Sequence, residues 1–284
     1  ATSAASPAAS LATPRGLAAL ANAKTLAGQG QAESAIRAAS QALSQDSGLD
    51  EARDLRARLL AELGRWEPAL DDLKLLIERR RFDPGLRVRR GQVLLELRRY
   101  DRAAEDARIA RSGKSPSIAA WVLSAEISLA LGEPLAALEH LGRVGPGQKT
   151  SPRFRLIRGE AYLANGDLDH AEGALADLVR ERPKDGPACL ALGRVHLARE
   201  RRAVAAERFE EGLASGAEYA PLAVALATIY EADGRRPEAL ERYREALRWD
   251  AASVKALEGV ARLSESAPVP TPSAAPTPAP VAES

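Results

Sequence analysis

The chain has one cysteine, Cys189, and no methionine in 284 residues. A single thiol excludes an intramolecular disulfide and any four-thiolate metal site. Aromatic residues make up only 4% against 45% hydrophobic residues, so the core is built from Ala, Leu and Val. Side chains that small suit close helix packing better than thick sheet sandwiches. No run approaches the roughly 18 apolar residues of a membrane span. Formal net charge is +1, so no global field draws the chain toward nucleic acid or an anionic membrane. His140, His170 and His196 have no metal-ligand spacing, and no Gly-rich phosphate-cradling motif follows a strand pattern. The acidic pairs Asp71–Asp72 and Glu210–Glu211 read as solvated helix faces. Catalytic, metal and cofactor sites are therefore not expected, and the reading is non-enzymatic.

What the chain does have is period. Alanine stands every 34 residues at Ala35, Ala69, Ala103, Ala137, Ala171, Ala205 and Ala239. A fixed period of that length marks stacked helix pairs. It defines seven blocks: 16–49, 50–83, 84–117, 118–151, 152–185, 186–219 and 220–253. Before them, residues 1–15 form an Ala/Ser/Pro lead; after residue 265, the stretch 266–284 is Pro/Ala-rich. Both ends read as disordered tethers. Ala1 at the start and the lack of methionine are expected of a processed or shortened chain, in which any removed leader would not be visible.

Within a block numbered 1 to 34, position 20 is always Ala. Position 8 is always small (Ala23, Ala57, Gly91, Ala125, Gly159, Gly193, Ala227), and position 15 is Gly in five of seven. Apolar residues recur at helical spacing on either side of position 15, so each block is two helices and a turn. Small residues at positions 8 and 20 allow the two axes to cross closely, and glycine at the turn supplies left-handed backbone. Segment 254–265 is a capping helix, with Val254, Leu257, Val260 and Ala261 expected on its apolar face. The first block lacks large residues and is expected to fray. Gly142, Gly145, Pro146 and Gly147 should shorten the second helix of the fourth block and make a hinge before the fifth.

The pattern resembles the tetratricopeptide repeat family. Block 220–253 carries it best, with Leu226, Ala227, Tyr230, Gly234, Ala239, Tyr243 and Ala246; Trp121, Gly159, Tyr162, Gly166, Pro183 and Phe209 carry it in other blocks. The resemblance implies an all-α fold, a right-handed α-solenoid superhelix of seven repeats and a cap. It also implies a concave wall lined by the first helix of each block. On that wall the groove candidates are Arg58, Val88, Gln92, Leu95, Val122, Glu126, Leu129, Leu156, Glu160, Leu163, Leu190, Arg194, Leu197, Val224 and Thr228. An aliphatic stripe with polar teeth suits an amphipathic helix or extended peptide; the same residues fit packing between neighbouring first helices equally well. Family members that clamp an acidic C-terminal tail use polar residues where this chain is mostly aliphatic.

Arg79, Arg80, Arg81, Arg87, Arg89 and Arg90 stand as a possible anion-binding edge. Cys189 reads as a small buried hydrophobe. The expected partner is another protein rather than nucleic acid, bound by a monomer. Two other readings stay open. One is a bacterial cell-envelope assembly factor of the pilotin or polysaccharide-export kind, with a periplasmic location; the other is the interaction domain of a larger enzyme.

Overall fold

The computed structural model describes residues 13–113, 117–145 and 151–265, and every regular element among them is a helix. The first helices of the blocks are Pro14–Gly28 (α1), Asp50–Glu62 (α3), Pro84–Glu96 (α5), Ile118–Ala130 (α7), Pro152–Ala164 (α9), Gly186–Ala198 (α11) and Ala220–Ala232 (α13). Their partners are Ala32–Gln45 (α2), Trp66–Arg79 (α4), Tyr100–Arg111 (α6), Pro134–Gly142 (α8), Leu168–Glu181 (α10), Arg202–Ala214 (α12) and Arg236–Trp249 (α14), followed by Val254–Glu265 (α15). From α2 onward each class of helix restarts every 34 residues. Only α1 starts early, because Thr13 caps it: its Oγ1 accepts the Gly16 N–H at 3.1 Å, ahead of Pro14 in the first turn. Asp83, Ser117, Ser151 and Asp185 cap α5, α7, α9 and α11 in the same way.

The chain divides into two compact units, one ending at Ala174 and one beginning at Leu175, with the division inside α10. In the first unit each helix packs on its chain neighbours through α9, and α5, α7 and α9 also touch as successive first helices. In the second, α11 to α15 pack in order, with α11 against α13. All seven position-20 alanines are fully buried. The helices cross so tightly that a Cβ on Gly91 would lie 2.5 Å from Leu123 Cδ2, and one on Gly193 only 1.9 Å from Phe209 Cε1. The first block is not frayed. Leu20, Ala23, Ala35, Ala39 and Ala42 are buried in it, since small side chains fill a close crossing as completely as large ones fill a wide one.

The turns repeat as faithfully as the helices. Gly64 has φ +70° and its neighbour Arg65 N–H returns to Leu60 O at 2.8 Å; Arg98 has φ +55° and Arg99 N–H returns to Leu94 O at 2.8 Å. A side chain in this region costs about 1–2 kcal/mol, and Glu200 at φ +60° bears the same cost in the sixth block. Arg98→Gly should therefore raise stability by about 0.5–1 kcal/mol after the extra freedom glycine gives the unfolded chain. Urea denaturation measures it; a loss of stability would mean that the Arg98 side chain has a partner worth more than its strain.

Two further departures have physical causes. Helix α8 stops at Gly142, nine residues long, as the Gly/Pro cluster requires; the rest of the expected hinge, 146–150, lies outside the described residues. Helix α15 caps the last pair with a face only partly the one expected: Ala256, Gly259 and Leu263 are buried and Val260 is half-buried against the same core, whereas Val254, Leu257 and Ala261 are exposed. A Cβ on Gly259 would meet the Tyr243 ring at 2.5 Å, so the close approach selects the small-residue face over the greasier one. Arg262 locks it there, donating to Glu231 at 2.6 and 2.8 Å. That pair, with the Tyr243 hydroxyl at 2.9 Å, holds the Glu231 carboxyl below its usual range.

Candidate functional site

The first helices of the earlier unit stand side by side, and the depth of each side chain follows from its place on the helix. Position 5 points into the seam between pairs, where Val88 and Val122 are buried and Leu156 is half-buried. The later unit treats Leu190 and Val224 alike. One face further round, Leu95, Leu129 and Leu163 at position 12 are half-buried, and Leu197 is exposed. At position 9, Arg58, Arg194 and Thr228 are exposed, and Gln92 and Glu160 half-buried. Glu126 is buried there, accepting from Arg153 at 2.6 and 3.0 Å. Those bonds, with the fields of Glu96 and Glu160 added, hold the Arg153 guanidinium above its ordinary range.

Each unit has a cleft on these helices. The earlier one encloses about 300 Å³ between α3 and α5; it brings together Arg58, Gln92 and Leu95 of the expected groove with Ala57, Ala61, Glu62, Trp66, Leu73, Arg89, Val93, Glu96 and Arg153. The later one, about 650 Å³, gathers Arg194, Leu197, Val224 and Thr228 with Arg202, Ile229 and Val254. Val88, Val122, Glu126, Leu129, Leu156, Glu160, Leu163 and Leu190 line neither. Glu62 and Glu96 were not singled out by sequence, although both stand at position 13 and differ there from Ala130 and Ala164 of the next two first helices.

The arginines of the expected anion edge are not gathered into one free surface. Arg79 and Arg80 pair with Asp50 at 2.9 and 3.2 Å, and Arg89 with Asp54 at 2.7 Å. Arg87 reaches Asp106 at 3.1 Å, and Arg90 grips both oxygens of the same carboxylate at 2.6 and 2.7 Å. Arg81 alone is exposed without a carboxylate partner among the described residues. Asp72 corrects the reading of Asp71–Asp72 as a solvated pair. Its carboxylate is buried and takes Arg56 at 2.7 Å through both oxygens and Arg53 at 3.3 Å. The Arg56 guanidinium is held above its usual range chiefly by those hydrogen bonds.

Burial pushes the Cys189 thiol up to about 11, so it is protonated and unreactive near neutrality. Burial likewise lowers His140, packed 6.1 Å from Trp121, while His170 pairs with Asp167 at 2.8 Å. His196 is buried in α11. Among the described residues no group of three or more His, Cys, Asp or Glu is placed to hold a metal ion, and no helix is long and apolar enough to cross a membrane.

Helix pairs on an unbroken 34-residue repeat, pinned at small residues and closed by left-handed turns, define an α-solenoid of helical hairpins. The tetratricopeptide repeat family model matches residues 88–145 and 148–186, so that part of the chain carries tetratricopeptide repeats. Solved structures agree on the fold. A tetratricopeptide repeat protein from Parabacteroides merdae is 15% identical, with a TM-score of 0.70 over 89% of this chain and 100% of its own. Human IFIT1, solved as a dimer with m7Gppp-AAAA, is 17% identical at 0.70, over 82% of this chain and 58% of its own. Yeast Tom70 is 13% identical at 0.62, over 81% and 49%. Among curated proteins no sequence matches.

Proposed function

We propose that the chain is a non-enzymatic interaction module that holds a peptide or amphipathic helix of another protein against the open rows of its first helices. The observation that supports this most directly is the line Leu95, Leu129 and Leu163, half-buried at one register on α5, α7 and α9. Neighbouring first helices lie roughly 10 Å apart, so the line runs for about 20 Å. A helical ligand of about 14 residues rises that far and offers apolar side chains at i, i+3, i+4 and i+7. The position-5 residues, being buried, belong to the packing of the solenoid in this reading. A protein ligand is favoured over an oligonucleotide such as the one with IFIT1, because Arg89 and Arg153 are already matched by Asp54 and Glu126.

The test is the double variant Leu129→Glu with Leu163→Glu. Both side chains are half-buried and in contact with water, so circular dichroism and size should change little, while proteins captured from the native source should fall at least ten-fold. Capture equal to the wild type by a folded double variant would refute the groove.

A further inference from the structure

The cleft between α3 and α5 has a floor and a rim of opposite kinds. Ala57 and Ala61 leave the floor open, with Val93, Leu73 and the Trp66 ring as walls. The rim carries charge, but not all of it is free. Arg58 and Arg89 face Asp54, at 3.6 and 2.7 Å, and Arg153 is held through two nitrogens by Glu126. Glu62 and Glu96 are exposed on the same rim, and neither has a cation within ion-pair distance among the described residues. Three arginines line the slot with Glu62 and Glu96; Asp54 and Glu126, outside the lining, hold those arginines, so Glu62 and Glu96 are the carboxylates without an ion pair, Glu96 acting on Arg153 only through its field. A charge that is already paired has little left to offer a ligand, whereas an unpaired one sets the sign of what binds.

We infer that this cleft takes a lysine or arginine of the bound segment, its alkyl stem along Ala57, Ala61 and Leu95 and its cation between Glu62 and Glu96. Long cationic side chains combine an apolar stem with a charged tip, which is the combination the slot presents. The inference rests on the groove proposed above and adds polarity to it. Position 13 changes from Glu62 and Glu96 to Ala130 and Ala164 along the row. The basic end of the partner segment therefore lies over α3 and α5 and its aliphatic end over α7 and α9.

A random dodecapeptide library displayed on phage, panned against the full chain, tests both layers. The expected winners carry a Lys or Arg flanked by aliphatic residues. Synthetic winners should bind at least ten-fold more weakly to Glu62→Gln/Glu96→Gln, more weakly still as salt rises, and not to Leu129→Glu/Leu163→Glu. Panning Glu62→Lys/Glu96→Lys should return acidic peptides instead. Winners without cationic residues, or indifferent to the Gln pair while sensitive to the Leu pair, overturn the basic subsite and leave the groove standing. Winners indifferent to both pairs, or no winners, overturn the groove and the subsite together.

Discussion

Asp106→Ala should cost about 3–5 kcal/mol, the loss expected when one partner is taken from a buried ion cluster. The Asp106 carboxylate is 1% exposed and is the shared acceptor of Arg87 on the first turn of α5 and Arg90 one turn later. Alanine would leave two guanidinium groups, each mostly shielded from water, with no countercharge and several unmet donors. The cluster ties α5 to α6, so the third pair should open as a unit, and urea denaturation should show a lower midpoint with a second, earlier step. Asp106→Leu combined with Arg87→Met and Arg90→Met should recover most of the loss, since replacing a whole buried cluster by apolar side chains is close to neutral. If Asp106→Ala costs under about 1 kcal/mol, the arginines have turned out to water and the cluster contributes little.

The same cluster shows why the fold was legible and part of its chemistry was not. Translation by 34 residues carries Arg53, Arg56 and Asp72 onto Arg87, Arg90 and Asp106, yet charges three and sixteen residues apart look solvated when each helix is read by itself. Pairing appears only when the helices of one block are laid together, at positions 4, 7 and 23. The fifth block keeps Arg155 and Arg158 but has Ala174 at position 23, and there Arg158 instead lies 5.5 Å over the Phe154 ring. By contrast, the position-8, position-15 and position-20 residues act within one hairpin through steric bulk and backbone freedom. Sequence reports both directly, down to the start of each block from the second onward. Helix α15 falls between the two cases: its length was readable, but the face it buries depended on the ring of Tyr243, which periodicity does not register.

The candidate site divides along the same line. An amphipathic pattern names the residues of a first helix that are not on its solvent side, without separating those that touch the next helix from those that line a cleft. Val88 belongs to the first class and Leu95 to the second, although the two are only seven residues apart on one helix. Glu62 drew no notice, and Glu96 only as a charge diluting the arginine cluster, because an exposed carboxylate is ordinary. They stand out once the neighbouring arginines are seen to be taken by Asp54 and Glu126.

Val122→Glu separates packing from recognition at position 5. Val122 is 3% exposed, in a cluster with Ala125, Ala137, Leu141, Val144 and Phe154. A glutamate there must bury its carboxyl one turn before Glu126, whose own charge is balanced by Arg153. Like charges at that spacing repel, and with the burial of an unpaired acid the expected cost is on the order of 3–5 kcal/mol. Leu129→Glu, seven residues on and already in contact with water, should cost about 1 kcal/mol or less. Thermal denaturation of the two variants should therefore diverge sharply, while loss of peptide binding at a temperature where both are folded should be the stronger in Leu129→Glu. A Val122→Glu protein of near wild-type stability that no longer bound peptide would reverse the assignment: position 5 would then be ligand surface, open in solution by a local separation of α7 from its neighbours.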